Sequence, residues 1–458
     1  MDIMPADLVF PLLVVILLAE LVGLAIFHKV LGFRSALFFV TVTLMVTLAV
    51  TSVRYALAVT NLDPTDLTSD TYRYLLMGSE RAALGWPTWG DLFASDGTMG
   101  TIAISQLFFR LLGPSWLVVY VAGSLVGLVG CWLIAAAIVV VVQPKTLFWP
   151  LLAVLFPSSL YWSSSFGKEA FSFLLLGLGL YTVISWNVGR IARAYVSMFS
   201  AALLGLIIRP ELAAVAVLGV LASVAFIGAG ENARPRLKVM VVSCLALGGL
   251  LILMPYLGLG NPLGDLVNDL GSRYDRTSIG DFRVAESRRT GLLGLVEGLP
   301  TAIFRPWPWE GGIKGLGSSF DSLLILYVGW RFWKNRGLTY SSLQWRALIY
   351  SLIVFSALTL ALAGYGNIGL LARMRSMAIP FLVVVAAILT CRALDRDRSR
   401  VTTGKIPGSA HAGQISKPRS VRQPGASQVS PIGAKVQLPG RLYTNHRTIF
   451  ESPADVGQ

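Results

Sequence analysis

Charge is what this chain has least of. Only 14% of its 458 residues are Asp, Glu, Lys or Arg and 55% are hydrophobic, whereas a soluble globular domain carries about 25% charged residues. That balance excludes a water-soluble globule. Cysteine is equally scarce. Cys131, Cys244 and Cys391 all lie within or at the end of apolar runs, which excludes a disulfide framework and a thiolate metal site. The three histidines are His28, His411 and His446. One follows the first apolar run beside Lys29 and the others fall near the C-terminal end, so imidazole chemistry has no candidate in the acidic loops described below. No P-loop, dinucleotide-binding glycine pattern, zinc-ligand spacing or internal repeat is present, which removes nucleotide-binding signatures and gives little support to an inverted-repeat transporter.

What is abundant is long apolar sequence. From Met1 to about Cys391 apolar runs alternate with short polar links, the pattern required of membrane-spanning helices of about 20 residues each. The expected fold is an all-α polytopic bundle of about eleven spans: 7–27, 36–60, 115–142, 146–163, 169–187, 194–208, 211–228, 238–257, 318–333, 345–364 and 376–391. The first run follows an acidic start and precedes His28, Lys29 and Arg34. This reverses the secretory pattern, so the run is expected to stay as a transmembrane helix. Basic links at His28–Arg34, Lys145, Arg190/Arg193, Arg234–Lys238 and Lys334–Arg336 share one face if the N-terminus is outside, and the positive-inside rule makes that face cytoplasmic. Eleven Lys/Arg against four Asp/Glu give residues 392–458 a net charge of +7, half of the chain's +14. Rich in Pro, Gly, Ser, Arg and Gln and without periodicity, this stretch is expected to be a disordered cytoplasmic tail following a transmembrane domain of residues 1–391. The positive charge is therefore a topological signal, not a nucleic-acid-binding face.

The opposite face should receive outer loops 61–99 and 258–317, with short apices at Phe166–Glu169, Arg209–Glu211 and Gly364–Arg375. In the first loop Asp63, Asp66 and Asp70 fall within eight positions. Either Ser69 or Asp70 suits a helix N-cap, and a carboxylate there can also serve as general base toward a substrate held at the membrane surface. Thr98–Gly113 reads as a short amphipathic helix lying on the surface. Lys168 and Glu169, beside Trp162 and Ser163–Ser165, suit a polar headgroup as well as a hairpin turn. Arg209 and Glu211 interrupt an apolar stretch too long for one span, and charges near hydrocarbon are costly unless paired or functional. In FRPWPWEGG, prolines hold Arg305, Trp307, Trp309 and Glu310 on an extended backbone where the indoles can stack on sugar rings or join an interfacial aromatic belt. Arg373 and Arg375 run against the positive-inside rule at the mouth of the last span. Guanidinium is a natural bidentate partner of phosphate.

Together these residues resemble the GT-C superfamily of polytopic glycosyltransferases. The likeness lies in Asp63, Asp66 and Asp70 with Tyr72 in the first outer loop, the surface helix after it and the order of spans that follows. It extends over residues 36–391, with the stretches around Phe156–Glu169, Arg209–Glu211, Phe304–Glu310 and Asn367–Phe381 similar to bacterial membrane proteins grouped with such transferases or with polysaccharide polymerases. The Asp-Asp or Glu-Asp pair of better-known members and their folded C-terminal domain are missing from the pattern. The resemblance implies sugar transfer from a polyprenyl-phosphate or polyprenyl-pyrophosphate carrier to a glycan or lipid acceptor, in the cytoplasmic membrane of a bacterium. It implies no organic cofactor and indicates no metal. Asp70, with Asp66 and Glu169 behind it, would take the acceptor proton, while Arg373, Arg375, Arg209 and Lys168 would hold the phosphate. An O-antigen-type polymerase and a lipid or anionic-solute transporter are the rival readings. The transporter predicts charges in mid-span, and an O-antigen-type ligase would require an outer-face histidine.

Overall fold

The computed structural model describes residues 5–60, 70–93, 97–144, 146–225, 300, 303–304, 312–335, 339–362 and 368–403. Within them the chain is helical and contains no strand. The helices are α1 (Pro5–Leu31), α2 (Phe33–Thr60), α3 (Asp70–Leu84), α4 (Trp89–Leu92), α5 (Gly97–Leu112), α6 (Trp116–Val142), α7 (Phe148–Leu155), α8 (Pro157–Ser163), α9 (Lys168–Asn187), α10 (Ile191–Ile208), α11 (Pro210–Ala225), α12 (Gly312–Lys334), α13 (Ser342–Leu362) and α14 (Ile368–Thr403). Six of the described helices, α1, α2, α6, α9, α10 and α14, are long and apolar enough to cross a membrane. Backbone groups in hydrocarbon must be satisfied internally, which is why such runs become helices. The chain divides into a unit of Met1–Thr403 and a unit of Gly404–Gln458, the latter outside the described residues.

Helices α6, α9 and α14 form the centre, and each is more than 70% buried along its apolar window. Close approach of α6 and α9 depends on small residues: a Cβ on Gly177 would meet the Gly130 carbonyl oxygen at 2.5 Å, and one on Gly127 the Cα of Ala170 at 3.2 Å. Packing and not water-driven burial holds helices together in lipid, so such backbone contact is the natural cement. By contrast α1 is only 11% buried. Trp132 of α6 is fully buried and donates its indole N–H to Thr43 Oγ1 of α2 at 2.9 Å, which ties α2 to the centre.

Three expectations need correction. The span expected at 146–163 is two short helices, α7 and α8, divided at Phe156–Pro157. Proline lacks the N–H that would continue α7 but is preorganised for the first turn of α8. The last helix continues to Thr403 rather than ending near 391, so the first part of the expected tail is helical. It also begins at Ile368, which places Arg373 and Arg375 inside the helix and not in the loop before it. The helix expected at Thr98–Gly113 is present as α5, yet Thr101–Gln106 is buried against protein rather than spread on a surface. The span expected at 238–257 and most of the 258–317 loop lie outside the described residues.

A proline also shapes α14. Pro380 cannot donate to the carbonyl four residues earlier, that of Ser376. Ser159 Oγ of α8 supplies the missing donor at 2.9 Å. The broken rung of one helix is thus repaired by a hydroxyl from its neighbour, within one turn of both arginines.

Candidate functional site

Four connections far apart in sequence meet at one end of the bundle. α3 begins with Asp70, α9 begins with Lys168 and Glu169, Arg209 caps the C-terminal end of α10, and α14 carries Arg373. Arg373 is the centre. Its Nη1 donates to Asp70 Oδ2 at 2.8 Å, its Nη2 donates to Glu169 Oε2 at 2.8 Å, and its Nε lies 2.6 Å from Glu169 Oε1. Arg209 Nη2 donates to Glu169 Oε1 at 3.1 Å, and its Nη1 contacts Met374 Sδ at 2.8 Å. The five charges, three basic and two acidic when Lys168 is included, leave the cluster one positive charge in excess.

Exposure separates the two acids. The Glu169 side chain is 2% exposed and both its oxygens accept from guanidiniums. It sits in the first turn of α9, where the open end of the helix also favours a negative charge. A carboxylate so occupied and so deeply buried anchors arginines and is shielded from solvent. Asp70 is 52% exposed and only its Oδ2 is held, so among the described groups it is the acid of this cluster that faces outward. Beneath it lies Tyr74, 1% exposed. Burial first, and then the neighbouring Asp70 and Glu169, push its hydroxyl above the ordinary tyrosine range, so Tyr74 stays neutral.

Aromatic rings close one side. The Arg373 guanidinium lies 5.5 Å from the Trp162 ring centroid, and Arg54 of α2 lies 5.2 Å from the same ring and 4.1 Å from Tyr161. Arg54 also donates to the Tyr161 carbonyl oxygen. Lys168 turns the other way and donates to Thr98 Oγ1 at 2.8 Å, linking α9 to the start of α5.

Arg375, two residues along α14, belongs to another arrangement. It is 1% exposed, its Nε donates to Asp321 Oδ2 at 3.2 Å, and its Nη1 donates to the Ile303 carbonyl at 2.8 Å. Asp321, 0% exposed on α12, receives the Ser158 hydroxyl on its other oxygen at 2.5 Å. This pair is sealed, and it locks α8, α12 and α14 together.

Of the residues singled out from sequence, Asp70, Glu169, Arg209 and Arg373 converge, Lys168 stands beside them, and Arg375 is buried apart. Asp66, Arg305, Trp307, Trp309 and Glu310 lie outside the described residues. Sequence reading missed Asp321, which it placed without comment inside the expected 318–333 span. An acid within an apolar helix is itself a signal of a buried partner. It also missed Glu20 in the middle of α1, whose Oε1 lies 3.5 Å from Thr41 Oγ1. No group of three or more His, Cys, Asp or Glu among the described residues is arranged to hold a metal ion. Compared with protein-family models, with curated proteins and with solved structures, the chain finds no match.

Proposed function

We propose that this chain is a multi-pass membrane glycosyltransferase that moves a sugar from a polyprenyl-phosphate or polyprenyl-pyrophosphate carrier to a glycan or lipid acceptor. In this reading the chain crosses the cytoplasmic membrane of a bacterium eleven times, with its N-terminus outside, its C-terminus inside and the Arg373 cluster at the outer surface. The observation that carries the reading is the pairing of one outward-facing acid, Asp70, with a guanidinium whose other side is fixed by buried Glu169. Asp70 has an oxygen to receive the acceptor proton, while Arg373 and Arg209 place positive charge where a phosphate leaving group gains its own charge. Trp162, against Arg373, offers a flat apolar face at the same place.

The experiment is release of polyprenyl phosphate from a lipid-linked sugar by purified protein. Asp70→Asn keeps the shape of the side chain but removes the base, and turnover should fall by ~10²–10⁴ with donor binding little changed. Normal turnover in Asp70→Asn would sink the assignment of the base, and no release by the wild type with any lipid-linked sugar would sink the transferase reading. A second reading, an O-antigen-type polymerase, draws on the convergence of two arginines on one carboxylate. Its product would be a ladder of repeat units in place of a single addition.

A further inference from the structure

A groove at the far end of α9 carries a separate message. α9 has 20 residues, about 30 Å of helix at 1.5 Å per residue, which is also the thickness of a bilayer's hydrocarbon core. With Glu169 in its first turn, its other end lies at the opposite membrane surface. There α1, α6 and α9 leave between them a groove of about 410 Å³. Its wall is apolar, formed by Ala25 of α1, Leu133 and Ala136 of α6, and Ile184 and Val188 at the end of α9. Its mouth carries Lys29, Arg190 and Arg193, all exposed, and no acidic residue is among those lining it. Nor does any described carboxylate form an ion pair with these three. Val22 and Ala25 on the α1 side are themselves exposed, so the groove opens outward from the bundle.

Topology alone would scatter cations along this face. It does not account for three of them, from two different connections, ringing the mouth of one apolar trough. We infer that this groove binds an anionic phospholipid, with acyl chain against the Ala25–Leu133–Ile184 wall and phosphate among Lys29, Arg190 and Arg193. Charge complementarity fixes the occupant's head, and the apolar wall fixes its tail. A basic pocket between membrane helices is a physically sound seat for such a headgroup. The inference is independent of the transferase reading, because it concerns the other end of the bundle and its readout is lipid association.

The test reconstitutes the full chain in phosphatidylcholine vesicles containing a trace of spin-labelled phosphatidylglycerol or spin-labelled phosphatidylcholine, and compares the motionally restricted fractions. The wild type should immobilise phosphatidylglycerol in excess. Arg190→Gln/Arg193→Gln should reduce that excess by about fivefold for each cation removed. Ala25→Trp fills the trough from its exposed side and leaves every charge in place, and it should abolish the excess as well. Arg331→Gln/Lys334→Gln, the same loss of charge at the end of α12 away from the groove, should leave it intact. Survival of the excess in Ala25→Trp would overturn the groove, and an equal loss in the α12 variant would reduce the effect to general surface charge. Abolition by inorganic phosphate but not by chloride of equal ionic strength would show that the cations take free phosphate, and would overturn the lipid assignment.

Discussion

Arg373 and Arg375 are the same residue type two positions apart on one helix, and they live in different electrostatic worlds. Arg373 bridges an outward-facing acid and a buried one and touches an indole. Arg375 is enclosed with Asp321. Two steps along an α-helix are a turn of about 200°, so the two guanidiniums leave opposite sides of α14. The comparison teaches that a pair of like charges on one helix can divide between an outward-facing cluster and a sealed lock, and that partner and exposure, not proximity, decide which is which.

The most forceful way to break this distinction is to remove one acid from each side. Asp321→Ala strands Arg375 as a buried, uncompensated charge and should cost about 3–5 kcal/mol, seen as a large drop in the thermal midpoint of the purified protein. Asp70→Asn alters a half-exposed ion pair, worth about 0–1 kcal/mol, and should leave the midpoint nearly unchanged. Equal destabilisation by the two would erase the division drawn here. Adding Arg375→Met to Asp321→Ala should recover much of the loss, since an apolar replacement of a buried pair is often neutral.

Lysine substitutions sharpen the comparison at a smaller scale. Arg373→Lys cannot bridge Asp70 and Glu169 with a planar fork, and at about 1.5–3 kcal/mol per charged hydrogen bond its donor affinity should weaken by about ten- to a hundredfold. Arg375→Lys should act on the thermal midpoint instead, with the donor affinity of the folded fraction retained. Donor binding measured on both variants, beside their melting curves, decides whether the roles separate.

Ser159→Ala tests what the two arginines share. It leaves the Ser376 carbonyl without the hydroxyl that replaces the proline-deleted rung, and should cost about 1–3 kcal/mol. The smallest effect belongs outside the cluster. Thr88 and Asp91 form a reciprocal cap on α4, with Thr88 hydrogen bonds and then Arg81 holding the Asp91 carboxyl below its usual range. A depressed carboxylate contributes above its unfolded value and loses that contribution as pH falls through the folded one. The cap should therefore be intact at neutral pH and loosen only below the ordinary carboxylate range. Amide exchange at Asp91 followed against pH checks this, and loosening near neutrality would contradict it.

Much of the site could be read from residues alone because each charge in an apolar context had to be explained. Glu169, Arg209 and Arg373 interrupt hydrophobic runs, and Asp70 opens a helix-like stretch. Those signals were local, and they marked positions that in space form one cluster. What sequence could not supply was partnership. Arg373 and Arg375 look alike in sequence; because α14 begins at Ile368, their helical spacing separates them. Asp321 was hidden because one acid in a long span barely lowers its hydropathy. The break at Phe156–Pro157 was legible in principle, since proline removes a rung, but the surrounding apolarity outweighed it.

The Ser159 clasp on Ser376 has a mechanical consequence. A helix missing one rung bends more easily at that point than an intact one, and Arg373 stands seven residues before Pro380. That stretch is a lever roughly 10 Å long, so a bend of ~10° at its fulcrum sweeps the guanidinium through ~2 Å, enough to pass from a formed hydrogen bond to a broken one. One serine hydroxyl, itself uncharged, thereby steadies the segment from which Arg373 reaches Asp70.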